Sequence, residues 1–195
     1  MDDQESQENQ EYHVFFQEIY QTYHQPVFAF ILTRVGQREI AKDLMQEVFL
    51  RAWRQIHVGY EIGRENCRFW IFRITKNLIT DYYRQRTTRH KTESRIRQEA
   101  VVQGAFARSP EETYEIKRNV QRIEDAVSRL SEELRSVLIL HQVGKMNSAE
   151  IGELLDIPAG TVRYRISMAR KRVLLELKQN ERMEEGIAVE QFGLE

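Results

Sequence analysis

The chain has 195 residues, with 29 Lys and Arg against 30 Asp and Glu, and apolar residues make up 41% of it. That apolar share is enough for a packed core and excludes full-length disorder. Only 9 Gly and 3 Pro leave too few turn formers for a β-rich or α/β chain, so the composition predicts an all-α fold.

The lone cysteine, Cys67, excludes an internal disulfide and any multi-cysteine zinc site. The histidines are scattered, without HExxH spacing, and no Walker loop is present, so nothing implies a metal, a cofactor or catalysis. The N-terminus is acidic and no apolar run approaches membrane length, which predicts a cytoplasmic protein with no direct membrane insertion.

In chain order, residues 1–11 read as an acidic N-terminal tail. Tyr12 to Val35 is apolar at helical spacing and reads as two helices, with Pro26 opening the second, where its missing N–H costs nothing. A long helix follows from Arg38 to Ile56. Its apolar face is Ala41, Met45, Val48, Ala52 and Ile56; its other face carries Asp43, Gln46, Glu47, Leu50 and Arg54. Leu50, apolar and ringed by polar groups, marks a small protein-binding patch. Asp43 and Glu47 could instead be metal carboxylates, but no matching Glu-x-x-His helix exists.

His57 to Glu65, with Gly59 and Gly63, reads as a loop, and Asn66 to Arg86 as a helix. Residues 88–110 read as a flexible linker. From Arg64 to Arg97 there are ten bases against three acids, and from Thr161 to Arg172 five bases and no acid. Two basic stretches in a neutral chain point to polyanion contact at two places.

The second module spans residues 111–179, with breaks at Ser131, at Gly144 to Asn147 and at Asp156 to Pro158. Asn147 and Glu150 have capping-box spacing. Asp156 suits a left-handed turn, and Pro158 suits the start of a new helix. Two helices joined so tightly match a helix-turn-helix. On the second helix, Val162, Ile166, Ala169 and Val173 form an apolar stripe facing Ile151, Leu154 and Leu155. The opposite face offers Gly160, Arg163, Tyr164, Ser167 and Lys171, a hydrogen-bonding and basic surface suited to a recognition helix. Residues 180–195 read as an acidic C-terminal tail.

Three stretches carry a family resemblance. DLMQEVFLRAW (43–53) resembles the core-binding helix of bacterial RNA polymerase sigma factors. FWIFRITKNLITDYYR (69–84) resembles their next helix, which handles the minus-ten promoter element. AEIGELLDIPAGTVRYR (149–165) is similar to their minus-thirty-five reader. The two-module layout looks like the extracytoplasmic-function (ECF) group. In that family Ala often stands where Gly152 is, Gly where Asp156 is, Ser where Tyr164 is and Arg where Met168 is.

The resemblance implies a transcription initiation factor rather than an enzyme, with region 2 at residues 12–87 and region 4 at 111–179. Core RNA polymerase, promoter DNA in double-stranded and melted form, and an anti-sigma factor are the implied partners. It assigns core binding to Asp43, Gln46, Glu47, Leu50 and Arg54. Minus-ten contacts fall to Tyr60, Asn66, Lys76, Asn77, Asp81 and Arg84, and minus-thirty-five contacts to Arg163, Tyr164, Ser167, Arg170 and Lys171. Strand capture needs aromatic faces beside bases, which Tyr60, Phe69, Trp70, Phe72, Tyr82 and Tyr83 interleaved with Arg64, Arg68, Arg73, Lys76 and Arg84 would supply. Phe69, Trp70 and Phe72 fit a core equally well, and Asp81 fits a helix salt bridge to Arg84. The rival reading is a stand-alone helix-turn-helix regulator.

Overall fold

A computed structural model of the chain describes residues 2–90 and 114–191. Among them lie eight helices and no strand. The first module holds α1 (Asp2–Val35), α2 (Arg38–Arg54), α3 (Ile56–Ile62) and α4 (Cys67–His90). The second holds α5 (Tyr114–Ser128), α6 (Glu132–Gln142), α7 (Ser148–Leu155) and α8 (Ala159–Gln191). Most of the expected linker falls outside the described residues.

α1 departs from expectation. It is one helix that runs through Pro26, and it takes in the acidic N-terminal stretch from Asp2 onward. An internal proline removes one ladder hydrogen bond and crowds the preceding turn. Here Val27, Phe30, Ile31 and Leu32 are all buried just beyond it, and that apolar burial outweighs the local cost. Gly36, at φ 71°, ends the helix, with its N–H donating to the Leu32 carbonyl at 2.9 Å.

α2 ends at Arg54 and buries Ala41, Val48, Phe49 and Ala52; of the apolar face expected of it, Met45 is half-buried and Ile56 falls beyond the helix, buried at the start of α3. The expected loop at His57–Glu65 is largely helical, as α3. Gly59 is a contact point instead of a turn: a Cβ there would lie 2.8 Å from the Trp70 ring. The turn itself falls at Gly63, whose φ of 82° suits a residue without a Cβ.

In the second module the breaks fall where the sequence put them. The Asn147 side chain accepts from the N–H groups of Ala149 (2.9 Å) and Glu150 (3.0 Å), and Glu150 Oε2 accepts from the Asn147 N–H at 2.7 Å. Such a cap stabilises a helix by about 1 kcal/mol. Asp156 takes the left-handed conformation, φ 58° and ψ 48°, and the Pro158 carbonyl starts α8 by accepting from Val162 at 3.1 Å. α8 does not stop near residue 179. It continues to Gln191, so most of the expected acidic tail is helix, and Gly186 does not break it.

The two modules also touch, which no local pattern in the sequence suggested. α1 packs on α6 and α4 on α7, and one apolar core runs through both modules. Phe72, fully buried, meets Phe30 with ring centroids 5.9 Å apart. It also sits under Gly144, where a Cβ would come within 3.1 Å of its Cζ.

Candidate nucleic-acid interface

The helix-turn-helix sets the outer face of α8. Val162, Ile166 and Ala169 are buried, as are Ile151 and Leu154 on α7. That inward stripe forces Arg163, Tyr164, Ser167, Arg170 and Lys171 to the outside, where all five are exposed. Tyr164 is 65% exposed, a large ring with a hydroxyl turned to solvent. Arg165 points elsewhere and pairs with Glu133 of α6 at 2.8 Å.

The α4 residues divide between two faces. Asn77 and Arg84 are exposed. Asp81 stands between two guanidinium groups, 3.6 Å from Arg51 and 4.0 Å from Arg84; Arg51 reaches it from α2 while also pairing with Glu47 at 2.9 Å. Lys76 is turned away from these three. It lines a cavity of about 430 Å³ between the modules, with Arg34, Glu132, Ser136 and Arg165. Trp70 and Phe72 are buried, the core role rather than the strand-stacking one. The Tyr83 hydroxyl donates to the Arg34 carbonyl, and burial pushes its phenol pKa up.

Tyr60, on α3, packs edge-on against the rings of Tyr12 and Phe15, both at 5.3 Å, and donates to Glu11 at 2.7 Å. Asn66 is exposed at the entry to α4 and donates to the Ile62 carbonyl at 3.2 Å. Cys67 is buried and its thiol faces the Gly59 and Gly63 carbonyls at 3.5 and 3.2 Å. Burial pushes that thiol up to about 11, which leaves it a packed, unreactive group.

On α2, Asp43, Gln46, Leu50 and Arg54 are exposed and Glu47 is half-buried. Leu50 is 51% exposed. It belongs to an apolar groove of about 520 Å³ that includes His13, Phe16, Tyr20, Phe49 and Trp53. Sequence reasoning missed these five, because the groove is shared between α1 and α2. The signal was present as aromatic rings at i, i+4 spacing, Phe16 with Tyr20 and Phe49 with Trp53. Among the described residues there is no cluster of His, Cys, Asp and Glu that could hold a metal, and no helix is long and apolar enough to cross a membrane.

The chain itself has counterparts among known proteins. The profile of Sigma-70 region 2 matches residues 19–89, and that of Sigma-70, region 4 matches residues 120–173. The ECF RNA polymerase sigma factor SigM of Bacillus subtilis (strain 168) is 30% identical over 159 residues, covering 80% of this chain and 91% of that protein. The chain belongs to the ECF sigma factors. SigW of the same organism is 25% identical over 171 residues, 84% of this chain and 89% of that one. Among solved structures, the sigma factor RpoE, crystallised with the anti-sigma factor NepR from Bartonella quintana, matches with a TM-score of 0.65 at 23% identity. That match covers 84% of this sigma factor and 96% of RpoE. At that identity the likeness shows a shared fold. As an ECF sigma factor the protein is a transcription initiation factor that binds core RNA polymerase and directs it to promoters, and the stand-alone regulator is not favoured.

Proposed function

We propose that the exposed face of α2, with Asp43, Gln46, Glu47, Leu50 and Arg54, docks on core RNA polymerase, and that the α1–α2 groove widens that docking surface. The observation that carries this reading is Leu50, a half-exposed leucine at the lip of an aromatic groove and ringed by polar groups. Central apolar contacts bounded by polar rims are where binding energy concentrates. In region 2, Tyr60, Asn66, Lys76, Asn77, Asp81 and Arg84 meet the minus-ten element. In region 4, Arg163, Tyr164 and Ser167 read base edges of the minus-thirty-five element, while Arg170 and Lys171 hold phosphates.

The protein acts by recognition and performs no catalytic step of its own, alongside polymerase in the cytoplasm. An anti-sigma factor is a further partner. RpoE was solved with one, and CnrH, which shares the fold at a TM-score of 0.52, was solved with the cytosolic domain of CnrY.

Transcription with purified core enzyme on a promoter library tests the reading. Arg163→Ala is expected to relax one position of the minus-thirty-five element at a cost of about 1–3 kcal/mol. Lys171→Ala is expected to weaken every promoter alike and to flatten the salt dependence. Equal losses on all promoters for Arg163→Ala would remove it from the base readers.

A further inference from the structure

The cavity of about 430 Å³ between the modules has a lining of mixed character. Its apolar part comes from both sides: Phe30 of α1 and Ile79 of α4 are buried, and Leu155 and Ile157 face them from the helix-turn-helix. Three cations converge on it from three helices, Arg34 of α1, Lys76 of α4 and Arg165 of α8. Two carboxylates of α6 stand at its rim, Glu132 at 2.8 Å from Arg34 and Glu133 at 2.8 Å from Arg165. Both carboxylates are more than half exposed, while the guanidinium groups they meet are less exposed.

Two groups remain once those ion pairs are made. Lys76 is half-buried, and among the described residues no carboxylate pairs with it. Ser136 is 1% exposed, its Oγ lines the cavity, and that hydroxyl has no hydrogen-bond partner. A buried hydroxyl left unpaired costs free energy that a partner would return. The two ion pairs cancel in charge, so the lining carries one net positive charge, on Lys76. Each guanidinium has five N–H donors, and its carboxylate engages one nitrogen of each. An apolar lining with a few convergent polar groups, at this volume, is the composition of a small-molecule site.

We propose that this cavity binds a small organic acid with one carboxylate and an apolar body. Lys76 and the Ser136 hydroxyl hold the carboxylate, and Phe30, Ile79, Leu155 and Ile157 cover the body. One negative charge matches the one positive charge left over. A doubly charged phosphate ester would bring a second negative charge toward Glu132 and Glu133 with nothing to offset it. The occupant touches α1 and α4 of the first module and α6 and α8 of the second at once.

The test is calorimetric titration of the full chain with 1-naphthoate, beside its neutral analogue 1-naphthalenemethanol and inorganic phosphate. Naphthoate is expected to bind with a Kd of about 1 mM or tighter, and the alcohol at least about tenfold more weakly. Lys76→Gln is expected to weaken naphthoate about tenfold or more, and Ser136→Ala about three- to tenfold. Thermal melts of both variants check the fold. Ser136→Ala is expected to melt no lower than wild type, because the hydroxyl it removes has no partner in the free protein. Four results would overturn the proposal: no naphthoate binding at millimolar concentration, equal binding of acid and alcohol, displacement of naphthoate by equimolar phosphate, or a loss on Leu50→Glu with none on Lys76→Gln. The last would place the probe in the α1–α2 groove instead.

Discussion

Leu50 and Cys67 are both apolar-leaning side chains with opposite fates. Leu50 stays half exposed because its neighbours on α2 at 43, 46, 47 and 54 are polar and the inward face is already filled by Ala41, Val48 and Ala52. Leu50→Glu removes no core volume. We expect it to weaken core-polymerase binding by about 2 kcal/mol or more with little change in melting temperature, measured by titration against core enzyme beside a thermal melt. A melt that drops by many degrees would place Leu50 in the core. Cys67 is buried and its folded pKa is raised from 9.0 to about 11. A raised folded pKa means that the native state holds the proton more tightly. Its contribution is therefore complete below about pH 9 and is lost as pH rises toward 11. At pH 7–8 the thiol should resist alkylation in the folded protein and react fully once urea unfolds it. Exposure of single positions such as Leu50, Arg163 and Tyr164 was legible in the sequence, because a helix wheel needs only neighbours three and four residues away. The orientations of Arg68 and Lys76 were not, because their surroundings come from the second module.

Among the elements, the helix-turn-helix was the most legible. Its cap, left-handed Asp156 and buried stripe all lie within about one supersecondary unit, and each has a local cause. Gly152 belongs to that geometry. A Cβ there would lie 2.7 Å from the Ile157 carbonyl, so the tight turn through Asp156 and the absent side chain at 152 go together. α3 was misread as a loop because two glycines usually punctuate a chain. Only one of them turns it, and the other makes room for a tryptophan, which no window of neighbouring residues reveals. Gly59→Ala should therefore be destabilising even though alanine is the better helix former. The added methyl meets the rigid Trp70 ring at 2.8 Å, and overpacking of this kind costs about 1–3 kcal/mol. Urea unfolding of the variant checks the sign: a stabilised protein would mean that the α3–α4 contact yields freely. Pro26 teaches a similar lesson, since burial on both sides of it carries α1 through a position where local preference predicts a break.

For the whole molecule, the neutral charge decides how the free protein meets DNA. Basic stretches on α4 and α8 are offset by acids elsewhere, so the net charge is −1, and long-range attraction to DNA is weak. Each module alone would give salt-sensitive binding of modest strength. Polymerase, by fixing both at promoter spacing, makes the second contact effectively intramolecular. We expect little retention of promoter DNA by the free protein in a gel shift at about physiological salt, and a stable, sequence-dependent complex once core enzyme is added. Tight, specific binding by the free chain would contradict this. The all-α class and the two modules were legible from composition and periodicity. Their mutual contact was not, since Phe72 under Gly144 and Arg34 against Glu132 join residues 72 and 98 positions apart in sequence.

The placement of the only two tryptophans has a practical corollary. Trp53 stands in the open groove beside Leu50, against His13 at 4.6 Å and Phe16 at 5.1 Å. Trp70 is closed in against α3. Their indole emission thus separates two events within one unlabelled protein, with Trp53 reporting what covers the groove and Trp70 reporting whether region 2 is still folded.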